Sequence, residues 1–180
     1  DEDMVYVMNV SYHKSKDGGK TWSNVTANIK GLPLNTWCYH IEASNFNAGS
    51  AYAVFDGHTK NDYQAYAFKT TDFGKTWLSI ITKDIDGFTR SLQEDYVNEN
   101  LLFLGTEKGL YITIDGGKNW SKFESEMPAV PVFYLDLHKK TNDLVMATHG
   151  RGIIILDDVS ILRQVTQDVV KKDVHFFQTK

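Results

Sequence analysis

The sequence repeats one short pattern three times: Ser15-Lys16-Asp17-Gly18-Gly19-Lys20-Thr21-Trp22, Thr70-Thr71-Asp72-Phe73-Gly74-Lys75-Thr76-Trp77 and Thr113-Ile114-Asp115-Gly116-Gly117-Lys118-Asn119-Trp120. The hydroxyl, the Asp, the second Gly, the Lys and the Trp keep one register, with Asn119 standing where the first two boxes have Thr. A catalytic constellation is needed once, whereas a feature present in every unit is architecture. The three Asp are 55 and 43 residues apart, and Asp158 follows another 43 residues on with no Trp behind it. A period of about 20 to 50 residues constrains a chain more than local propensity does, because each unit must be one supersecondary element packed on its neighbours.

The contents of a unit say which element. Phe133-Tyr134-Leu135-Asp136-Leu137-His138 alternates as a half-buried strand does, and the stretches 143–148 and 152–157 are short apolar runs. The preceding unit supplies counterparts at 91–94, 101–105 and 109–113, then its box, then Trp120-Ser121-Lys122-Phe123. Each unit reads as four short antiparallel strands, with the box turning the third into the fourth, and four such strands in about 40 to 50 residues make one propeller blade.

The expected fold is therefore all-β, a partial β-propeller of about three and a half blades, too few to close a ring of about four to eight. The blades are expected at 1–30, 31–83, 84–126 and 127–158. The first begins with the strand at 3–8, so its innermost strand is missing. Residues 159–180 are expected to add a short helix, with Thr166 as N-cap, and a closing strand over Val174–Phe177. The partners that such an open ring calls for are the remaining blades of a longer propeller or a second copy of the chain.

The residue types of the box suit a turn. Gly19, Gly74 and Gly117 permit positive φ; Asp17, Asp72 and Asp115, with the hydroxyls of Ser15, Thr70 and Thr113 before them and of Thr21 and Thr76 after, can bond the turn amides; Trp22, Trp77 and Trp120 open the next strand with a large apolar body. One carboxylate per box is too few for calcium.

Composition narrows the partners. With a net charge of −4 and 19 Lys and Arg in all, there is no basic patch to hold nucleic acid. The single Cys38 rules out an internal disulfide and any multi-cysteine metal site. His40, His58, His138 and His149 lie in different units without ligand spacing, so neither metal nor cofactor is expected. No apolar run approaches the roughly 20 residues of a membrane span. The start Asp1-Glu2-Asp3 is the reverse of a signal peptide's basic first region, so the chain is trimmed, not exported, or a piece of something longer.

The boxes resemble the Asp-box, or bacterial neuraminidase, repeat. The run 147–158, Ala-Thr-His-Gly-Arg-Gly-Ile-Ile-Ile-Leu-Asp-Asp, followed by Asp173-Val174-His175-Phe176-Phe177, is similar to the end of the propeller region in large sortilin-like bacterial proteins labelled glycosyl hydrolase. That superfamily includes sialidases, sortilin-like receptors, xyloglucan-degrading hydrolases and photosystem assembly factors. The resemblance implies the fold, and a secreted or periplasmic location. It leaves the activity open, since one propeller fold hosts many functions. Sialidases set three arginines on a sugar carboxylate; here Arg90, Arg151 and Arg163 exist, but Arg163 falls in the tail and no Phe-Arg-Ile-Pro segment is present. A sortilin receptor module also relies on a cysteine-rich segment, which one Cys does not supply.

By analogy of fold, ligands meet the face that carries the loops between second and third strands and between blades. The candidates there for a glycoside hydrolase are Asp56, Asp86 and Glu107, of which two would stand about 5 to 10 Å apart; the alternative is that each is a solvated turn carboxylate. The candidates for binding are Trp37, His58, Tyr63, Arg90, Lys108, His149 and Arg151. Trp37 and Tyr63 offer platforms for sugar rings, with a core position as the alternative for Trp37. Arg151 either clamps a carboxylate or phosphate or bonds the backbone of the neighbouring blade, with His149 packed in the channel. The leading expectation is a non-catalytic segment presenting its loop face to a glycan or protein. The second is a glycoside hydrolase acting on polysaccharide, and the third an assembly factor that binds another polypeptide.

Overall fold

The computed structural model describes residues 4–124 and 127–178; Asp1–Asp3, with the acidic start they form, and residues 125, 126, 179 and 180 lie outside it. Among the described residues, the short apolar runs and the turns between them produce four antiparallel sheets. The first is β1 (Val5–Met8), β2 (Tyr12–Ser15) and β3 (Ser23–Asn24). The second is β4 (Trp37–Ala43), β5 (Ala51–Gly57), β6 (Asp62–Thr70) and β7 (Leu78–Ser79). The third is β8 (Thr89–Glu94), β9 (Leu102–Thr106), β10 (Gly109–Thr113) and β11 (Ser121–Lys122), and the last is β12 (Val132–His138), β13 (Asp143–Thr148) and β14 (Ile153–Leu156). Strands follow chain order within every sheet, and β8 packs against β4 on one side and β12 on the other. This is the partial propeller that the repeat requires.

The apolar pattern records where each strand lies. All of β5 is buried because it is the second strand of a sheet covered on both faces, whereas β12 alternates between buried and exposed residues. Three clusters fill the three seams: Tyr12, Phe55, Phe68 and Trp77; then Tyr52, Leu92, Leu104 and Trp120; then Phe103, Leu135, Leu144 and Met146.

Each box closes one and the same turn. In the second, Asp72 Oδ1 accepts from Thr70 Oγ1 and from the Lys75 and Thr76 amides, all at 2.9 Å, while Oδ2 accepts from Thr76 Oγ1 at 2.7 Å. Thr70 Oγ1 in turn accepts from Gly74 N at 2.9 Å. The third box keeps the geometry with different chemistry, Asn119 Nδ2 donating to Asp115 Oδ2 at 2.7 Å where the others use a threonine hydroxyl. These bonds, that from the Thr76 amide foremost, hold the Asp72 carboxyl down at about 2. Its contribution to stability is therefore complete above the ordinary carboxylate range and is lost as pH falls towards 2. Asp72→Ala is expected to cost about 1 to 2 kcal/mol, read by urea unfolding at pH 7; an unchanged midpoint would remove the turn role.

The tail departs from expectation at its end. A 3-10 turn at Val159–Gln164 is followed by α1 (Gln167–Val170), and Thr166 caps α1 by accepting from Val169 N at 3.2 Å. No strand forms over 174–177, where Val174 and Phe176 stay exposed. The segment pairs with no strand, although β1 and β14 are outer strands of their sheets, and a side chain holds it instead: Gln164 bonds the Gln178 amide and carbonyl, each at 2.9 Å. Arg163 anchors the tail more firmly, with Nε and Nη2 on Asp95 at 2.8 to 3.1 Å, Nη1 on Asn142 Oδ1 at 2.9 Å, and its plane over Tyr96.

Candidate functional site

The three inner strands share a defect at one height. Pairing skips Tyr39 in β4, Arg90 in β8 and Phe133 in β12, so each strand has a β-bulge whose extra residue is freed from the ladder. A bulge re-aims the side chain it carries. The three turn towards one another: the Arg90 guanidinium lies 3.8 Å from the Tyr39 ring centre and 4.3 Å from that of Phe133, and His149 stacks on Phe133 at 5.1 Å with 3° between planes. One stack, Tyr39–Arg90–Phe133–His149, therefore joins three sheets.

Asp56, at the end of β5, holds the stack from beneath. Its side chain is wholly buried, with Oδ2 2.9 Å from Arg90 Nε as an ion pair in which the N–H is not aligned as a hydrogen bond. His58 Nδ1 lies 2.8 Å from the same oxygen, and the His58 amide donates to Oδ1 at 2.7 Å. Facing a carboxylate, Nδ1 is the nitrogen that carries the proton, and Nε2 makes no hydrogen bond to a described residue. Phe88 stacks on His58 at 4.7 Å, and Tyr63, 55% exposed, leans over Phe88. Arg90 is 6% exposed, and its contacts with described residues are the Nε–Asp56 ion pair and the aromatic rings, with no hydrogen bond from Nη1 or Nη2 to a described residue.

The other expected residues spread around this centre. Trp37 is half-exposed opposite Asp56. Asp86 is exposed, its amide donating to Tyr111 Oη at 3.1 Å. Glu107 pairs with Lys108 at 3.3 Å and packs under Gly87. Arg151 is exposed at the β13–β14 turn, which Thr148 closes on Gly152 O. Sequence reasoning missed Tyr39, Phe88 and Phe133. The signal for two of them lay in aligning Cys38-Tyr39-His40, Thr89-Arg90-Ser91 and Val132-Phe133-Tyr134, which places the bulged residue at one position of the repeat.

A second polar group sits further along the inner strands. Gln93 Nε2 donates to Glu42 Oε1 at 2.6 Å and to Glu94 O at 3.1 Å. Buried Glu94 accepts from Ser44 Oγ, the Asn45 amide and Tyr52 Oη at 2.6 to 3.0 Å. Burial, with Glu94 and Asp136 near, pushes the Glu42 carboxyl up to about 7. His40 Nδ1 accepts from Leu92 N, and its Nε2 stands 3.8 Å from Glu42. No helix among the described residues is long and apolar enough to cross a membrane.

Comparisons with known proteins agree with this architecture. Over 79 residues the chain is 35% identical to a vacuolar protein sorting/targeting protein 10 of Leptosphaeria maculans, covering 44% of this chain and 5% of that protein. It is 25% identical over 128 residues to an oligoxyloglucan-reducing end-specific xyloglucanase of Emericella nidulans, covering 66% of this chain and 16% of the enzyme. The chain thus spans a small part of the curated relatives it matches. Its fold superposes on a GH74 enzyme of Niastella koreensis with a TM-score of 0.64 at 17% identity, covering 87% of this chain and 27% of the other. It also superposes on a YCF48 structure bound to D1 peptide, with a TM-score of 0.62 at 20% identity over 87% and 47% of the two chains. The family model described as Sortilin, neurotensin receptor 3 (Sortilin-Vps10) matches residues 65–174, more than half of the sequence, and the chain belongs to that family.

Proposed function

We propose that the chain is a ligand-binding propeller segment whose loop face takes a glycan or polypeptide bearing an oxyanion, at Arg90. The observation that supports this is a guanidinium nearly removed from water, stacked between two rings, with its Nη edge unbonded. A planar donor fork so placed matches a carboxylate or phosphate bidentately, in surroundings where the bond is stronger than in water. Asp56 orients Arg90 and His58 here, and Trp37 and Tyr63 offer apolar surface beside them. The face is completed by further blades or a second copy, and the protein works in a secreted or periplasmic setting.

The experiment is a binding screen on the full chain with acidic and neutral oligosaccharides and with peptides rich in Asp or Glu. Acidic ligands are expected to bind, and Arg90→Met to weaken them about 10-fold to 100-fold, the range of a lost charge-assisted bond. Equal binding of acidic and neutral ligands, or no loss in Arg90→Met, defeats the reading.

The second reading is a glycoside hydrolase, supported by the xyloglucanase relative. Because Asp56 is engaged on both oxygens, that reading falls to Asp86 and Glu107. It requires cleavage of xyloglucan or another polysaccharide by the parent chain, abolished by Asp86→Asn or Glu107→Gln; an intact polymer rules it out for this chain.

A further inference from the structure

The seams between sheets open at the outer rim beside the box turns, at the other end of β6 from Asp62, and the repeat gives every mouth the same positions. Lys14, Lys69 and Ile112 stand immediately before the box hydroxyl, and Ser23, Leu78 and Ser121 immediately after the Trp. The two positions face each other across neighbouring strands, Lys14 opposite Ser23, Lys69 opposite Leu78 and Ile112 opposite Ser121.

Two of the mouths are closed from within the chain. At the first, Lys14 Nζ donates to Phe73 O of the second box, and Asn28 Nδ2 donates to Gly74 O at 2.9 Å. At the third, the tail takes the place of a further box. Val159, at the position that Phe73 and Gly116 hold in theirs, is buried; Leu162 packs into the third cluster, and Val165 and Val170 border one cavity with Ile112.

The second mouth is open. A groove of about 460 Å³ runs there, with Leu78 and Ile81 contributed by the second sheet and its edge and Gly116 and Lys118 by the third box. Lys69 also borders it, and makes no hydrogen bond or ion pair with a described residue; its Nζ lies 5.1 Å from the Tyr52 ring centre. Leu78 is 73% exposed, where the sister units have serine, and Ile81 stands where they have Thr26 and Glu124. Apolar side chains that border one groove, at positions polar in the sister units, mark a contact surface.

The lining says what fits it. Lys69 and Lys118 bring positive charge, and among the described residues no carboxylate lines the groove. Asp72 and Asp115, in the flanking boxes, spend their oxygens on their own turns. The complement is apolar and anionic. A strand edge is also available: Ile80 N bonds Ala67 O at 3.0 Å, and because the bonds of an antiparallel ladder alternate, Ser79 next to it turns its amide and carbonyl away from β6, to the outer edge of the sheet. A backbone can pair there, and the cover of the third mouth is itself polypeptide.

We propose that the mouth between the second and third sheets docks an extended polypeptide segment, with an apolar side chain laid against Leu78, a neighbouring Asp or Glu between Lys69 and Lys118, and its backbone on Ser79. The test is an NMR titration of the isotope-labelled chain with a capped hexapeptide of alternating Leu and Glu. The amide signals of Lys69, Leu78, Ser79 and Lys118 are expected to move together and to saturate. Leu78→Ser puts the residue of the sister units at an exposed position, and is expected to weaken binding about 5-fold to 20-fold through the apolar contact it removes. Lys69→Gln combined with Lys118→Gln should weaken it as well, and added salt should do so in the parent chain. A hexapeptide of alternating Leu and Lys and the fatty anion octanoate serve as controls. The absence of a saturable shift at those four signals, an unchanged affinity in Leu78→Ser, or equal binding of the Leu–Lys peptide would each overturn the proposal. Octanoate binding as tightly as the Leu–Glu peptide would show a groove for any apolar anion, and would overturn the assignment to polypeptide.

Discussion

Replacing Arg163 by Met is expected to lower the stability of the chain by about 3 to 5 kcal/mol, the cost of leaving one partner of a buried pair behind. Asp95 is wholly buried, and Arg163 is the cation that reaches it, through Nε and Nη2. Asp95 also accepts from the Val97 and Asn98 amides at 3.0 and 2.8 Å, so it cannot turn away to water without opening the loop after β8. Lysine would not restore the site, since a point charge does not serve Asp95 and Asn142 with one planar fork. For a chain of this length the loss amounts to roughly 10 °C in Tm. Thermal and urea unfolding of Arg163→Met read it, and Asp95→Asn in the same chain should recover part of the loss. A change below about 1 kcal/mol would show that the pair contributes no more than a surface ion pair.

The second large effect concerns pH. A carboxyl lifted from 4.5 to about 7 in the folded state binds a proton there that the unfolded chain has released. The folded chain is then favoured below the unfolded pKa, and this advantage is lost as pH rises through about 7. Glu42→Gln imitates the protonated form and keeps an acceptor for Gln93. The stability of Glu42→Gln minus that of the parent is therefore expected to be near zero at pH 4.5 and to grow to about 3 kcal/mol above pH 7. The groups facing Glu42 are His40 on its own strand, Glu94 on β8 and Asp136 on β12. Burial lowers the His40 pKa, which acts in the opposite sense below its ordinary range, so the difference between the two chains is the quantity to measure. A difference that stays flat from pH 5 to 8 would show that Glu42 ionises in the fold as it does in water.

The architecture was legible because its signal is repeated and local. Asp, Gly and Trp at fixed spacing specify a turn in which the Asp carboxylate makes its bonds within the box, and Asn at 119 in place of Thr keeps the turn intact. The closing strand over 174–177 failed because alternation describes a segment alone and does not say whether the chain before it brings that segment to a sheet edge. The site was legible in part. Arg90, His58 and Asp56 were picked from loop position, but their union depends on bulges, and a bulge leaves no trace in a period of two. Likewise nothing in the composition of β8 told Glu94, which is buried, from an ordinary exposed acid.

The bulges give the propeller a modular grammar. Each inner strand commits its other residues to pairing and seam packing, and sets aside one position whose backbone course is the same from sheet to sheet while its side chain is free to differ: Tyr39, Arg90, Phe133. The chemistry at that height of the inner strands is then spelled by one residue per sheet. On the proposed reading, ligand preference would be rewritten by substitution at these positions, without redesign of a loop.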